Sequence, residues 1–300
     1  MSFLDTFTEA LVQKQMKEDG LQRGYTVQAS GRVYQDYLND QTSWKQLISN
    51  MSQEHYNEYE NGSGGELMEK DGRPPKMAAF ASSSRMIYML SKDIPEFHFE
   101  EQLPTTVGGI ANMDGYRAKD GNYVFVEAKC REPYGHSIME AYKQKYKEIY
   151  SYLRDKMPRV FSCVMEDIPE NKMNVVFFCH NRVVEGFDIK QMISHLLGVA
   201  TKFLKQLNDG ELDVKHIQFL YLLYNPTDLQ IAEPNQTKIM HTYIDTCRCA
   251  VHYHFEEMFG HVVDFLAPTL CPTASSEQLQ AIKSSFHFEL CDQSNYNNFF

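Results

Sequence analysis

Three charged residues near the middle of the chain have types and a spacing that could support metal-dependent chemistry. Asp114 lies in the segment MDGYRAK, and Glu127 and Lys129 lie in the segment NYVFVEAK. Two carboxylates that meet at one point are suitable ligands for Mg²⁺ or Mn²⁺. An ammonium beside them could orient an attacking water or stabilise charge that develops on a phosphate. These residue types therefore point to hydrolysis of a phosphodiester.

A tight turn is expected to bring the three residues together. The dipeptide Asp-Gly at 120–121 separates the two segments, and this dipeptide between apolar runs is typical of a β-hairpin. The hairpin would return the second strand beside the first, so that Asp114 and Glu127 reach one edge of the sheet. Lys129 is two residues beyond Glu127 and therefore shares its face of the strand. The backbone carbonyl of Ala128 lies between them and is expected to be a third metal ligand.

The apolar pattern around the hairpin predicts an α/β chain, bordering on α+β, in which a central mixed sheet is flanked by helices. The strands predicted for this sheet are 97–105, 112–119, 123–129, 174–179 and 217–224. The predicted helices of the same region are 76–93, 137–157 and 188–207. Residues 1–60 have a mostly helical and polar pattern. From about residue 237 we expect a long helix and then a polar tail.

The same pattern suggests three segments. Residues 1–75 are predicted to be an N-terminal helical extension, residues 76–230 the core with the candidate site, and residues 231–300 a C-terminal helical segment with a polar tail. We expect the three segments to form one compact domain.

The Asp114…Glu127-x-Lys129 pattern, in this order of helices and strands, resembles the PD-(D/E)XK nuclease superfamily. The resemblance covers about residues 76–226 and implies a restriction-endonuclease-like core. It also implies a Mg²⁺-dependent endonuclease, in which Asp114 and Glu127 bind the metal (Mn²⁺ as an alternative) and Lys129 assists the attacking water. One departure is Met113, which stands where the proline in the name of the superfamily would be.

The resemblance suggests further site residues. Members of the superfamily often supply another acid from the helix before the sheet. The segment 76–93 has no acid on its body, so Glu66 is the nearest candidate, with Glu69 and Glu101 as alternatives. Gln144 resembles the glutamine that several nucleases of this fold carry on the helix after the third strand.

A basic helix face is the candidate surface for nucleic acid. Lys143, Lys147 and Arg154 would share one face of the predicted helix 137–157, beside the metal site. A solvated helix face without a ligand is the alternative interpretation. DNA is favoured over RNA as the partner, and the oligomeric state, including a homodimer, stays open.

Composition limits the class of protein. The 300 residues are 43% hydrophobic and 23% charged, which is typical of a globular chain. The formal net charge of −11 argues against a protein that coats nucleic acid over its whole surface. We expect a cytoplasmic protein without membrane contact, because no apolar run reaches eighteen residues and the seven cysteines are scattered. The competing hypotheses are an inactive nucleic-acid-binding or structural module of the same fold and an acidic interaction domain.

Overall fold

A computed structural model describes residues 25–27, 36–38, 41–62, 65–70, 74–79, 82–130, 140–179, 181–183, 188–224 and 254–300. The strands are β1 (Tyr25–Val27), β2 (Asp36–Leu38), β3 (Phe97–Thr105), β4 (Gly109–Lys119), β5 (Asn122–Lys129), β6 (Glu140–Lys143), β7 (Ser162–Ile168), β8 (Lys172–Cys179), β9 (Arg182–Val183), β10 (His216–Leu223) and β11 (Phe286–Asp292). The helices are α1 (Gln41–Ser49), α2 (Gln53–Asn61), α3 (Ser83–Ser91), α4 (Lys147–Lys156), α5 (Ile189–Asn208), α6 (254–270) and α7 (Ser276–Ser285). Short 3-10 helices cover Lys76–Ala78, Gln144–Tyr146 and Tyr296–Phe299.

The central sheet has five strands in the order β11-β10-β5-β4-β3. Strands β3, β4 and β5 form an antiparallel meander, whereas β10 runs parallel to β5 and β11 runs parallel to β10. The prediction of a central mixed sheet flanked by helices is therefore confirmed. Within the part of the chain that the structure describes, no helix is long and apolar enough to span a membrane.

Helices cover both faces of this sheet because β5 is apolar on both faces. Phe125 packs in a large cluster with residues of α4, α5 and α6, such as Ile149, Leu196 and Phe259. Val126, its neighbour along the strand, packs in a smaller cluster that includes residues of α2 and α3. A strand that is buried on both faces lies in the interior of the molecule, and this burial removes most water from the residues at its end.

Two predictions for the segment after β5 are wrong. Residues 140–146 are not α-helical: β6 pairs with β8, the Gln144–Tyr146 segment is a 3-10 helix, and the α-helix begins only at Lys147. The predicted strand 174–179 exists as part of β8, but it lies in a second sheet of order β6-β8-β7, with β9 beside β8. Pairing of β6 with β8 satisfies its backbone groups, and this tertiary context overrides the local helical pattern.

The two ends of the chain also differ from prediction. The N-terminal region, which is predicted to be mostly helical, also contains β1 and β2. The predicted helix 76–93 is instead a 3-10 turn followed by α3, which begins after Ser82. The Ser82 side chain accepts a hydrogen bond from the Arg85 N–H and so caps the helix. The predicted polar tail contains α7 and β11, because the alternating apolar residues Phe286 and Phe288 pack in the large cluster. Residues 237–253 of the predicted C-terminal helix lie outside the described residues.

Gly115 allows β4 to approach α3 closely. A Cβ atom at this position would overlap the ring of Phe97 and would lie 2.8 Å from Cδ1 of Ile87, and both neighbours are buried. We therefore expect Gly115→Ala to lower the free energy of unfolding by about 1–3 kcal/mol in urea titrations. Gly260→Ala on α6 is the control, because the nearest atom, Cδ of Lys283, lies at 3.6 Å and alanine favours a helix. Equal losses in the two variants would contradict the expectation.

Candidate active site

The hairpin that positions the site forms as predicted. Strands β4 and β5 pair from Lys119–Asn122 to Gly115–Val126, and Asp120 and Gly121 have φ values of 51° and 80°. Positive φ at both turn positions is typical of the type I′ hairpin turn. One residue beyond the last pair, Asp114 stands opposite Glu127.

At this point the side chain of Asp114 takes the place of a backbone acceptor in the hydrogen-bond ladder between β4 and β5. Its Oδ2 accepts a hydrogen bond of 2.7 Å from the backbone N–H of Ala128. In an extended strand the N–H and the carbonyl of one residue point to the same side. The carbonyl of Ala128 is therefore also directed towards β4, where Asp114 lies.

A third acid, Glu100, stands opposite Asp114 on β3. The flanking pairs are Phe99–Gly115 and Glu101–Met113, so that Glu100, Asp114 and Glu127 form a row across three neighbouring strands. We call these three residues the acidic row.

The backbone of β3 is unusual at the acidic row. Glu100 has a φ of 57°, a left-handed conformation that non-glycine residues rarely adopt. Before it, Phe97 and Phe99 pack in the small cluster, and after it Leu103 packs in the large cluster. The strand therefore exchanges its faces at Glu100. Such a conformation costs about 1 kcal/mol or more, and strained residues of this kind cluster at active sites and ligand-binding sites.

Glu127 and Lys129 form a buried pair that α5 supports. Nζ of Lys129 lies 2.6 Å from Oε1 of Glu127, and their side chains are 12% and 2% exposed. Lys129 also donates a hydrogen bond of 2.6 Å to Oε1 of Gln191, and Nε2 of His195 lies 3.0 Å from Oε2 of Glu127. Gln191 and His195 are one turn apart on α5, so a single helix contacts both members of the pair.

The pair determines the charges of both side chains. Burial works to raise the pKa of Glu127, but the Lys129 ammonium and His195 hold it below its ordinary value. Burial works to lower the pKa of Lys129, but Glu127, with smaller contributions from Tyr221 and Asp114, holds it well above its ordinary value. Glu127 is thus a carboxylate and Lys129 an ammonium at neutral pH, and the lysine acts through its positive charge and its N–H donors.

The other acids of the row lack a comparable cation. Burial and the negative charge of Glu127 raise the pKa of Asp114 well above its ordinary value, although Lys129 and the Ala128 N–H oppose the change. Burial and the charges of Glu66 and Glu127 raise the pKa of Glu100 to about 7. Excess negative charge in a buried site favours binding of a cation.

The structure brings together the main predicted residues: Asp114, Glu127, Lys129 and the backbone of Ala128 lie at the end of one hairpin. Glu66 is 7% exposed, and its charge contributes to the raised pKa of Glu100. Its Oε1 lies 3.0 Å from Nζ of Lys76.

The predicted alternatives to Glu66 lie differently. Glu69 is exposed. Oε1 of Glu101 lies 3.6 Å from Nζ of Lys202 on α5, which gives Glu101 a cationic partner. Glu101 pairs with Met113, so Glu100, rather than Glu101, stands in the acidic row.

The predicted nucleic-acid surface is not assembled as one helix face. Lys143 lies on β6, Lys147 contacts Asp167 at 2.8 Å, and Arg154 lies further along α4. The expectation is wrong for Lys143, because β6 and the 3-10 helix replace the first part of the predicted helix, whereas Lys147 and Arg154 are two turns apart on α4. Gln144 donates hydrogen bonds to Asp167 Oδ1 and to the carbonyl of Lys172, and so it supports the second sheet.

Sequence reasoning missed Glu100, Gln191 and His195. Strict alternation along β3 gives no reason to prefer Glu100 to Glu101, because the exchange of faces leaves no mark in the residue pattern. For α5 a signal existed: Gln191 and His195 are polar, four residues apart, and lie on a helix whose face towards the sheet is apolar.

Glu54, Glu58 and His98 form the one group of three His, Cys, Asp or Glu side chains within the described residues whose ligand atoms all lie within 4.8 Å of one another. Nδ1 of His98 lies 2.7 Å from Oε1 of Glu58, and the Phe99 N–H donates to Oε2 of Glu58 at 3.0 Å. These contacts attach α2 to β3 and account for the positions of Glu58 and His98 without an ion.

No protein-family model, curated protein or solved structure matches this chain. The interpretation of the acidic row and its lysine therefore depends on their own geometry and charge.

Proposed function

We propose that this protein is a Mg²⁺-dependent endonuclease that hydrolyses phosphodiesters, with DNA favoured over RNA as substrate. The observation that carries the proposal is the buried Glu127–Lys129 pair, 2.6 Å apart, at the end of a hairpin that sets Asp114 against Ala128. The order α3, β3, β4, β5, helix, β10 is also that of a restriction-endonuclease-like core, which supports this finer assignment of the fold.

The residues present suit a hard divalent cation. Asp114, Glu127 and the carbonyl of Ala128 would hold Mg²⁺ (or Mn²⁺), and Glu100, with Glu66 behind it, would add negative charge beside the metal rather than a direct ligand. All of these donors are oxygen atoms, which Mg²⁺ prefers. The metal would polarise a phosphate oxygen and lower the pKa of a bound water.

Lys129 would act on the substrate rather than on the metal. An ammonium has no lone pair for a metal. Gln191 and Glu127 fix its position, so that its remaining N–H donor could orient the attacking water or stabilise the negative charge that develops on the phosphate. A fixed donor in a buried site requires no rearrangement during the reaction, and for that reason it is effective in catalysis.

The competing function is an inactive binding or structural module of the same fold. The energetic cost of burying Glu127 and Lys129 favours the enzyme over the inactive module. A buried ion pair usually contributes no more stability than apolar residues of similar volume. Retaining Glu127 and Lys129 for stability alone is therefore a weak explanation.

The proposal is tested with plasmid DNA and RNA, with and without Mg²⁺ or Mn²⁺. We expect cleavage that depends on the metal and is at least about 100-fold slower in Asp114→Asn. Asparagine has the shape of aspartate, and its Oδ1 can still accept the hydrogen bond of the Ala128 N–H. Asp167→Asn is the matched control, because Asp167 lies on the second sheet and contacts Lys147. If the wild type binds nucleic acid but cuts neither DNA nor RNA, the inactive module is the correct interpretation.

A further inference from the structure

We infer that His195 is a positioning residue that fixes the carboxylate of Glu127 for metal binding and catalysis. The inference rests on the proposed function and adds to it a residue of α5, a helix that is separate from the hairpin. Three observations support it: the contact with Glu127, the burial of the imidazole, and the second contact that the same helix makes with Lys129.

The contact joins two fully enclosed side chains. Nε2 of His195 lies 3.0 Å from Oε2 of Glu127, and each side chain is 2% exposed. Neither ring nitrogen makes a well-aligned hydrogen bond within the described residues. The Glu127 carboxylate nevertheless lies against Nε2 as a close charged contact, and it is the polar group that we take to account for an imidazole at this position.

Packing alone does not explain the histidine. Many of the surrounding positions of α5 are apolar and buried, among them Ile193, Leu196 and Val199. The centroid of the His195 ring lies 6.1 Å from that of Phe219 on β10. A leucine would suit these neighbours, whereas a buried imidazole carries a desolvation cost unless it has a polar partner.

The contact with His195 completes a chain of four side chains. Gln191 contacts Lys129, Lys129 contacts Oε1 of Glu127, and His195 contacts Oε2. With one partner on each oxygen, the carboxylate is held against rotation about its last bond. Each oxygen has two lone-pair positions, so this arrangement leaves acceptor sites for a metal. Partners that hold a metal ligand in this way typically change metal affinity or activity 10–100-fold when they are removed.

The test compares His195→Leu, His195→Gln and Thr201→Val. In His195→Leu we expect kcat to fall about 10–100-fold with little change in KM, and Mn²⁺ affinity in calorimetry to fall about tenfold. His195→Gln restores a side-chain N–H and is expected to recover most of both losses. Thr201 is a buried polar residue of the same helix, 2% exposed, that does not contact Glu127 in the described structure. Thr201→Val is therefore expected to leave kcat and Mn²⁺ affinity unchanged. If His195→Leu cleaves and binds Mn²⁺ as Thr201→Val does, the inference is wrong.

A double-mutant cycle separates this inference from the proposed function. His195→Leu is introduced into the wild type and into Glu127→Gln, and urea unfolding is measured without metal. If His195 holds the Glu127 carboxylate, His195→Leu raises the unfolding constant at least about tenfold more in the wild type than in Glu127→Gln. Equal effects overturn the inference, whether or not the protein cuts nucleic acid. A third outcome is strong coupling between His195 and Glu127 in a protein that neither binds Mn²⁺ nor cleaves nucleic acid. That outcome would reject the proposed function and would make His195 a structural partner of Glu127 only.

Discussion

Lys129→Met is expected to slow phosphodiester cleavage by about 10²–10³ while Mn²⁺ binding persists. Methionine preserves much of the volume of the side chain but removes the ammonium that contacts Glu127 and Gln191. No metal ligand is removed, and loss of the positive charge beside the site favours a cation, which offsets the loss of one partner of the Glu127 carboxylate. Single-turnover cleavage rates and Mn²⁺ calorimetry of the same preparation measure the two effects.

Loss of the charge also changes stability, and the experiment must allow for that change. Without Lys129 the carboxylate of Glu127 is buried with His195 as its remaining close partner, and breaking a buried pair from one side costs about 3 kcal/mol or more. We therefore expect the double variant Glu127→Gln/Lys129→Met to be more stable than Lys129→Met, yet equally inactive. Cleavage by Lys129→Met at the wild-type rate would show that the lysine is only a structural partner.

Glu100→Gln is expected to stabilise the metal-free protein at pH 8 and to remove most of the stabilisation that Mn²⁺ provides. Burial and the charges of Glu66 and Glu127 raise the pKa of Glu100 from its ordinary 4.5 to about 7. That difference corresponds to about 3 kcal/mol, and partial exposure to water reduces it to about 2 kcal/mol. An uncharged amide avoids this cost but no longer adds negative charge beside the metal.

The sign of the pH dependence follows from the raised pKa of Glu100. Between pH 4.5 and pH 7 the folded protein holds a proton on Glu100 that the unfolded chain has lost, so this group makes the protein less stable as pH rises. The destabilising contribution of Glu100 to the free energy of unfolding is absent below pH 4.5 and complete above pH 7. The advantage of Glu100→Gln over the wild type should therefore be near zero at pH 4.5 and about 2 kcal/mol at pH 8.

Urea unfolding at the two pH values, with and without Mn²⁺, measures both effects. Glu60→Gln provides the matched control, because Glu60 is an exposed residue of α2 and the substitution removes the same charge. An advantage of Glu100→Gln that is the same at both pH values, or full Mn²⁺ stabilisation of this variant, would contradict the role of Glu100.

The candidate site was largely predictable because its signals are local. The Asp-Gly turn specifies the hairpin, and the hairpin alone sets Asp114 opposite Glu127. Period-two alternation then places Lys129 beside Glu127. These relations depend on fewer than twenty consecutive residues, and no distant contact overrides them.

The rest depends on contacts between distant segments. Glu100 joins the row because β3 exchanges faces at a left-handed residue, and no propensity identifies such a residue in advance. Residues 140–143 become β6 because β8 supplies the missing hydrogen bonds. His195 and Gln191 were visible as polar residues on an apolar helix, but their partners become apparent only when α5 packs on the sheet.

The position of β10 has a consequence for how the chain folds. Both of its neighbours are remote in sequence: Ile217 pairs with Tyr123 on one side and with Phe286, sixty-nine positions later, on the other. Long-range parallel pairings of this kind form slowly because each must first close a large loop. Until β11 pairs with β10, the segment IQFLYLL is an exposed strand edge. The segment is uncharged and strongly apolar, and such a composition promotes intermolecular β-aggregation. A fragment that lacks residues 286–292 would keep that edge exposed, and its main failure would be aggregation during synthesis rather than reduced activity.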